Sequence, residues 1–139
     1  MTINPIAKKL GMKPGMSALV VGAPPGYLEL LAPLPEGVVV SDVLSTAHRF
    51  VQFFATRGSE IKNSAPRLLK HAAAGALVWI AYPKKTSGVA SDLSRESVCE
   101  AMSGTGWHAV AIIAIDEVWS ALRFRPATEV AVSTPHRRS

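Results

Sequence analysis

Cysteine is nearly missing from this chain: Cys99 is the only one in 139 residues. A lone thiol excludes an internal disulfide and a cysteine-rich zinc site, and it agrees with a reducing compartment. Aromatic residues are scarce, at 6%, which removes the interleaved stacking platforms that single-stranded nucleic acid binds. Charge is modest at 18% against 48% hydrophobic residues, a balance too apolar for disorder. Long apolar runs are lacking too. Residues 76–82 and 109–115 give seven each, against the roughly 20 that a bilayer-spanning helix needs, so no membrane span is expected. Met1-Thr-Ile-Asn-Pro5 has no basic stretch followed by an apolar one, and the expected location is the cytoplasm. There is no G-x-S-x-G, H-E-x-x-H or G-x-x-x-x-G-K-[ST] motif, and the four histidines show no metal-ligand spacing, so no metal is expected. The net charge of +5 includes Arg137 and Arg138 near the C-terminus; the remainder is only mildly basic, and nucleic acid is not the expected partner.

What is present is an alternation of apolar strands and helical segments. Asn4 and Pro5 read as the cap and first position of a helix over 3–10 that Gly11 ends. Ala18 to Val21 is a continuous apolar strand, as in a sheet covered on both faces, and it runs into the turn Gly22-Ala-Pro-Pro-Gly26. A very short helix, 27–31, precedes Pro33 and Pro35. Strands follow at 38–40 and 49–55. Residues 59–74 carry Ile61, Ala65, Leu68, Leu69 and Ala72 at helical spacing, and Pro66 predicts a break into two helices. A strand at 76–82, a loop at 83–92, a helix at 95–103 capped by Asp92 or Ser94, and two strands at 107–115 and 118–124 complete the chain. Only Asp116-Glu117 separates the last two strands, so they form an antiparallel hairpin. The pattern predicts an α/β domain over 1–126, three-layered, with a mostly parallel sheet of about six strands ending in that hairpin; 127–139 reads as a polar tail.

In such a sheet, ligands sit beyond the carboxyl ends of the strands. Three loops are expected to meet there: 22–27, 56–60 and 83–92. Gly22 and Gly26 keep the outer glycines of a G-x-G-x-G turn, while Pro24 replaces the middle one and, like Pro25, offers no N–H. Asp42 lies twenty residues beyond Gly22, the spacing of an acid that accepts hydrogen bonds from ribose hydroxyls, although Ser41-Asp42 equally suits a turn cap. Lys84, Lys85, Thr86 and Ser87 are candidate contacts for an anionic or nucleotide-like ligand; the plainer reading is a solvated basic loop. Cys99 reads as a buried structural thiol, Trp79, Trp107 and Trp119 as packing residues, and His48, His71, His108 and His136 as strand-edge or surface groups. Arg123 and Arg125 share one face of the last strand, as an interaction surface or a solvated edge.

The order of these pieces resembles a shortened form of the Rossmann-like fold of S-adenosylmethionine-dependent methyltransferases. The resemblance rests on 10–22 as lead-in and first strand with Gly22, Pro24 and Gly26 over the three glycines, on 50–56 as the strand ending beside the cofactor, on 68–83 with Ala73-Ala74-Gly75 over the family's Pro-Gly-Gly, and on the closing hairpin. More narrowly, Gly11-Met-Lys-Pro-Gly-Met16, Tyr82-Pro-Lys-Lys-Thr-Ser-Gly88, Asp92-Leu-Ser-Arg95 and Trp119-Ser-Ala-Leu-Arg-Phe-Arg-Pro126 resemble a family of short bacterial proteins known only as a domain of unknown function.

The resemblance implies Gly22, Pro24, Gly26 and Asp42 as cofactor-binding positions and S-adenosylmethionine as the cofactor. The proline turn, the short first helix and the lack of an obvious base argue instead for no cofactor and a noncatalytic domain that binds a small ligand or a protein. A small methyltransferase-like enzyme is the alternative, and a protein- or nucleic-acid-binding module using Lys84, Lys85, Arg123 and Arg125 is a third. A homo-oligomer fits any of them.

Overall fold

The computed structural model describes residues 4–41 and 47–127. Six strands form one sheet, β1 (Ser17–Val21), β2 (Val39–Ser41), β3 (His48–Phe54), β4 (Ala72–Pro83), β5 (Trp107–Ala114) and β6 (Trp119–Pro126), in the order β2-β1-β3-β4-β6-β5. β2, β1, β3 and β4 are mutually parallel, and β6 runs antiparallel to both β4 and β5. The mostly parallel sheet ending in an antiparallel hairpin, with β6 as the reversed strand, is as the sequence predicts.

Helices cover both faces. On one, α3 (Gly58–Leu69) and α4 (Arg95–Ala101) lay Ile61, Ala65, Leu68, Val98 and Ala101 on Leu19, Val51, Phe53, Val78 and Ile80. On the other, α1 (Pro5–Leu10) and α2 (Tyr27–Leu31) lay Ala7, Leu10, Tyr27 and Leu31 on Val20, Phe50, Phe54, Trp79 and Ala81. The central strands are therefore apolar on both faces, which is why they read as continuous hydrophobic runs. α1 has the expected ends: Asn4 Oδ1 accepts from the N–H of Ile6 at 2.8 Å and of Ala7 at 3.3 Å, and Gly11 closes it at φ 86°. The Trp79 indole donates to the Leu10 carbonyl at 2.9 Å and ties α1 to the sheet. Among the described residues no helix is long and apolar enough to cross a membrane.

Four local expectations need correction. α3 continues through Pro66 rather than breaking there, and it ends at Leu69. Pro66 lies on the exposed side of the helix, where solvent can satisfy the carbonyl one turn earlier while the buried stripe of Ile61, Ala65 and Leu68 stays in register. Residues 72–74, expected to be helical, begin β4; the pairing with β3 shifts from His48↔Ala72 to Phe50↔Leu77 around Gly75 at φ 76°. His48 is not a surface group but is 3% exposed at the start of β3, hydrogen-bonded through Nδ1 to the Ser17 hydroxyl. Arg123 and Arg125 do not lie on an edge, since β6 is enclosed by β4 and β5; both are half-buried.

Candidate functional site

The strand order reverses between β1 and β3, whose crossovers lead to opposite sides of the sheet. The crevice at their carboxyl ends is where this topology holds ligands. β1 runs there into the Gly22–Gly26 turn, and the fold explains both outer glycines. At Gly22, φ is 77° and a Cβ would lie 2.9 Å from the Phe54 carbonyl oxygen at the end of β3, so the two strands cannot close around any larger residue. At Gly26, φ is 83° with open space where a Cβ would be. Between them Pro24 is half-buried and Pro25 exposed, and the Tyr27 N–H bonds back to the Pro24 carbonyl at 3.1 Å. The turn is thereby rigid and poor in free donors.

Tyr27 anchors the turn from below. It is 3% exposed, its hydroxyl donates to Gln52 Oε1 at 2.7 Å, and its ring meets Phe54 edge-on at 4.6 Å. Burial pushes the Tyr27 phenol well above its ordinary range; the Gln52 hydrogen bond opposes that rise and the nearby Asp116 charge adds to it. Phe54 also meets Trp119 edge-on at 5.1 Å, which links β6 to the same cluster.

A hollow of about 530 Å³ opens beyond β1 and β2, lined by Val20, Gly22, Ala23, Leu28, Val40 and Ser41. It lies within the roughly 300–1,000 Å³ of small-molecule sites. Leu28, on its wall, is 45% exposed. Gly22 is thus part of the wall of this hollow, whereas Pro24 and Gly26 are not among its lining residues. Asp42 lies outside the described residues.

The β3–α3 loop borders the turn through Phe54, and its backbone donors are already engaged. Glu60 Oε1 accepts from the N–H of Thr56 at 2.8 Å and of Arg57 at 3.3 Å, and Asp92 Oδ1 accepts from the N–H of Gly58 at 2.9 Å. In return the Thr56 carbonyl accepts from the Ser91 hydroxyl at 2.7 Å and the Asp92 N–H at 3.2 Å. Loops 56–60 and 83–92 therefore meet as expected. Of the two caps the sequence offers for α4, Asp92 or Ser94, the structure uses Ser94, which accepts from the Ser97 N–H at 3.2 Å, while the Asp92 carboxylate reaches across to α3.

Lys84 and Lys85 line a separate hollow of about 330 Å³ with Asp92 and Ser94, and none of the residues of the Gly22–Gly26 turn lines it. Thr86 lies in a single 3-10 turn, Lys85–Ser87, and the Ser87 hydroxyl accepts from the Val89 N–H at 3.2 Å. Gly22 and the two lysines thus line different hollows, and neither Thr86 nor Ser87 lines either of them. A wider one, about 600 Å³, lies against Lys62, Leu69, Lys70 and Trp107, by the C-terminal end of α3 rather than at the carboxyl ends of the parallel strands. Among the described residues no cluster of three or more His, Cys, Asp or Glu is placed to hold a metal ion.

The chain is similar to the solved structure of an S-adenosylmethionine-dependent methyltransferase from Aquifex aeolicus, with a TM-score of 0.65 and 15% identity over 88% of this chain and 89% of that one. The fold is the methyltransferase fold. A complex of DhpI with SAH gives 0.58 at 13% identity, over 88% and 83% of the two chains. An O-methyltransferase of neocarzinostatin biosynthesis, NcsB1, solved with S-adenosyl-L-homocysteine, gives 0.61 at 15% identity over 88% of this chain and 52% of the other. At such identities the likeness is one of fold. No protein-family profile matches the chain, and no curated sequence matches it.

Tested against this crevice, S-adenosylmethionine fits in one half only. The apolar side chains of the hollow suit a base, whereas no acidic side chain among the described lining residues faces the sulfonium. Its charged amino-acid tail finds two prolines in the turn, and the N–H groups of Thr56, Arg57 and Gly58 are already held by carboxylates.

Proposed function

We propose that the protein is a noncatalytic small-ligand-binding domain on the methyltransferase fold, holding a nucleoside-type ligand in the hollow beyond β1 and β2. The wall of that hollow carries the reading: Val20, Ala23, Leu28 and Val40 are apolar, Gly22 presents backbone, and Ser41 supplies the one polar side chain among the described lining residues. No acid, base or thiol among them stands ready to move a proton. Support for a nucleoside comes from the position of the hollow at the carboxyl ends of the strands and from the homocysteine-nucleoside complexes of similar folds.

Titrating isotope-labelled protein with methylthioadenosine and with S-adenosylhomocysteine tests the reading. Amide shifts are expected at Ala23, Leu28, Val40 and Ser41, and the proposal fails if neither compound moves these signals at millimolar concentration.

The fold likeness supports a second reading, a small S-adenosylmethionine-dependent methyltransferase, because methyl transfer can rest on positioning a donor in line with an acceptor. Incubation with methyl-labelled donor and a panel of acceptors separates the two. The first reading expects no transfer above the protein-free rate, and transfer proportional to protein concentration would replace it.

A further inference from the structure

We infer that this hollow selects an uncharged nucleoside, bearing neither phosphate nor a charged amino-acid tail, over both nucleotides and S-adenosylmethionine. The inference rests on the nucleoside reading above and concerns which chemical class the site takes.

Phosphates and carboxylates at the carboxyl ends of a doubly wound sheet are held by backbone N–H groups or by cations. Of the six residues 22–27, Pro24 and Pro25 have no N–H, and that of Tyr27 is spent on the Pro24 carbonyl. Only Gly22, Ala23 and Gly26 remain. At the end of β3, beside β1, the N–H groups of Thr56, Arg57 and Gly58 are held by protein carboxylates, Glu60 and Asp92. Those donors are therefore not free to hold a ligand phosphate or carboxylate, and a phosphate brought to that loop would meet like charge. Cations do not compensate: the described wall of the hollow has no lysine or arginine, and Lys84 and Lys85 line the other hollow.

What remains is a wall whose side chains are apolar except for Ser41, with polar atoms making up about half of its accessible surface. Val20, Ala23, Leu28 and Val40 present side chains suited to a flat base and an uncharged thioether or alkyl substituent. Leu28, 45% exposed at the mouth, is the apolar surface such a substituent would cover. A ligand whose polar groups are confined to base and ribose asks for none of the donors this crevice has lost.

Calorimetric titration of the whole chain with methylthioadenosine, S-adenosylhomocysteine, S-adenosylmethionine and ATP reads the selectivity directly. Methylthioadenosine, the uncharged probe, is expected to bind at least about tenfold more tightly than the other three. If one of the charged compounds binds as tightly or more tightly, the inference falls while nucleoside binding stands; if none binds, both fall. The variant Pro24→Gly, checked for folding by circular dichroism, returns one N–H to the turn and is expected to narrow the gap between methylthioadenosine and S-adenosylhomocysteine. An unchanged gap in the folded variant would overturn the role assigned to the turn.

Discussion

The Tyr27 hydroxyl donates to Gln52 Oε1 at 2.7 Å in the middle of an apolar layer, with Tyr27 3% and Gln52 0% exposed. Gln52 Nε2 has no hydrogen-bond partner there. Whichever way the amide is turned, one of its ends is left in apolar surroundings, so this pair ties the Gly22–Gly26 turn to β3 at some cost in stability. Removing one partner orphans the other, which costs about 1–3 kcal/mol. Tyr27→Phe is therefore expected to destabilise by that amount. Gln52→Leu alone trades relief of the amide for an orphaned hydroxyl. The double variant should be more stable than the sum of the singles predicts, with a coupling of roughly 1 kcal/mol. Urea denaturation of the four proteins measures it, and simple additivity would show that the contact contributes nothing.

Gly22 and Gly26 look equivalent in the sequence, yet the structure separates them. Both hold positive φ, near 77° and 83°, but only Gly22 would drive a Cβ to 2.9 Å from a backbone oxygen. Gly26→Ala should cost the left-handed strain alone, about 1–2 kcal/mol. Gly22→Ala adds a clash that can be relieved only by prising β1 from β3, and it should exceed about 2 kcal/mol. Denaturation midpoints in the order wild type, Gly26→Ala, Gly22→Ala are expected. The reverse order would remove the packing explanation for Gly22.

The contrast shows what could be read from residues alone. Strands β1, β3 and β4 were legible because burial on both faces leaves uninterrupted apolar runs. α1 was legible from Asn4, Pro5 and Gly11, whose backbone preferences act within a few residues. The alanines at 72–74 were misread as helix because alanine favours helix locally, while long-range pairing with His48 and the positive φ of Gly75 put them in β4. The site divides in the same way. Gly22 could be found from its turn, but Leu28, Val40 and Ser41 come together only when α2 and β2 close over β1. Glu60 carried a faint signal, standing three residues after Arg57 as a capping acid does; Asp92 carried none, since its partner Gly58 is 34 residues away.

Both tyrosines of the chain sit in environments that raise their pKa. For Tyr27 the chief cause is burial, with the neighbouring Asp116 adding; for Tyr82 it is also burial, with Arg95 opposing. In the unfolded chain each ionises near 10. The folded state thus retains phenolic protons that the unfolded state gives up, so the stability this contributes is fully present below about pH 10 and is lost as pH rises above it. In the folded protein Tyr27 is expected to stay protonated near pH 10 and to appear as tyrosinate only on alkaline unfolding, while Tyr82 ionises at higher pH than it does in the unfolded chain. Tyr27→Phe should flatten the alkaline loss of stability. A normal titration of either phenol in the folded state would contradict this.

Pro66 is the ninth residue of α3 and lies on its exposed side. It gives up the hydrogen bond to the Lys62 carbonyl, and a proline within a helix costs about 3 kcal/mol relative to alanine. Burial of Ile61, Ala65 and Leu68 on both sides of it offsets that loss and keeps the helix whole. Pro66→Ala should therefore restore the missing bond without disturbing the core, and stabilise the protein by about 1–2 kcal/mol once the greater freedom of the unfolded chain is set against it. Thermal melts and amide exchange across 62–69 test this together. A higher Tm with slower exchange is expected; an unchanged Tm would mean that the sheet-facing stripe alone sets the stability of α3.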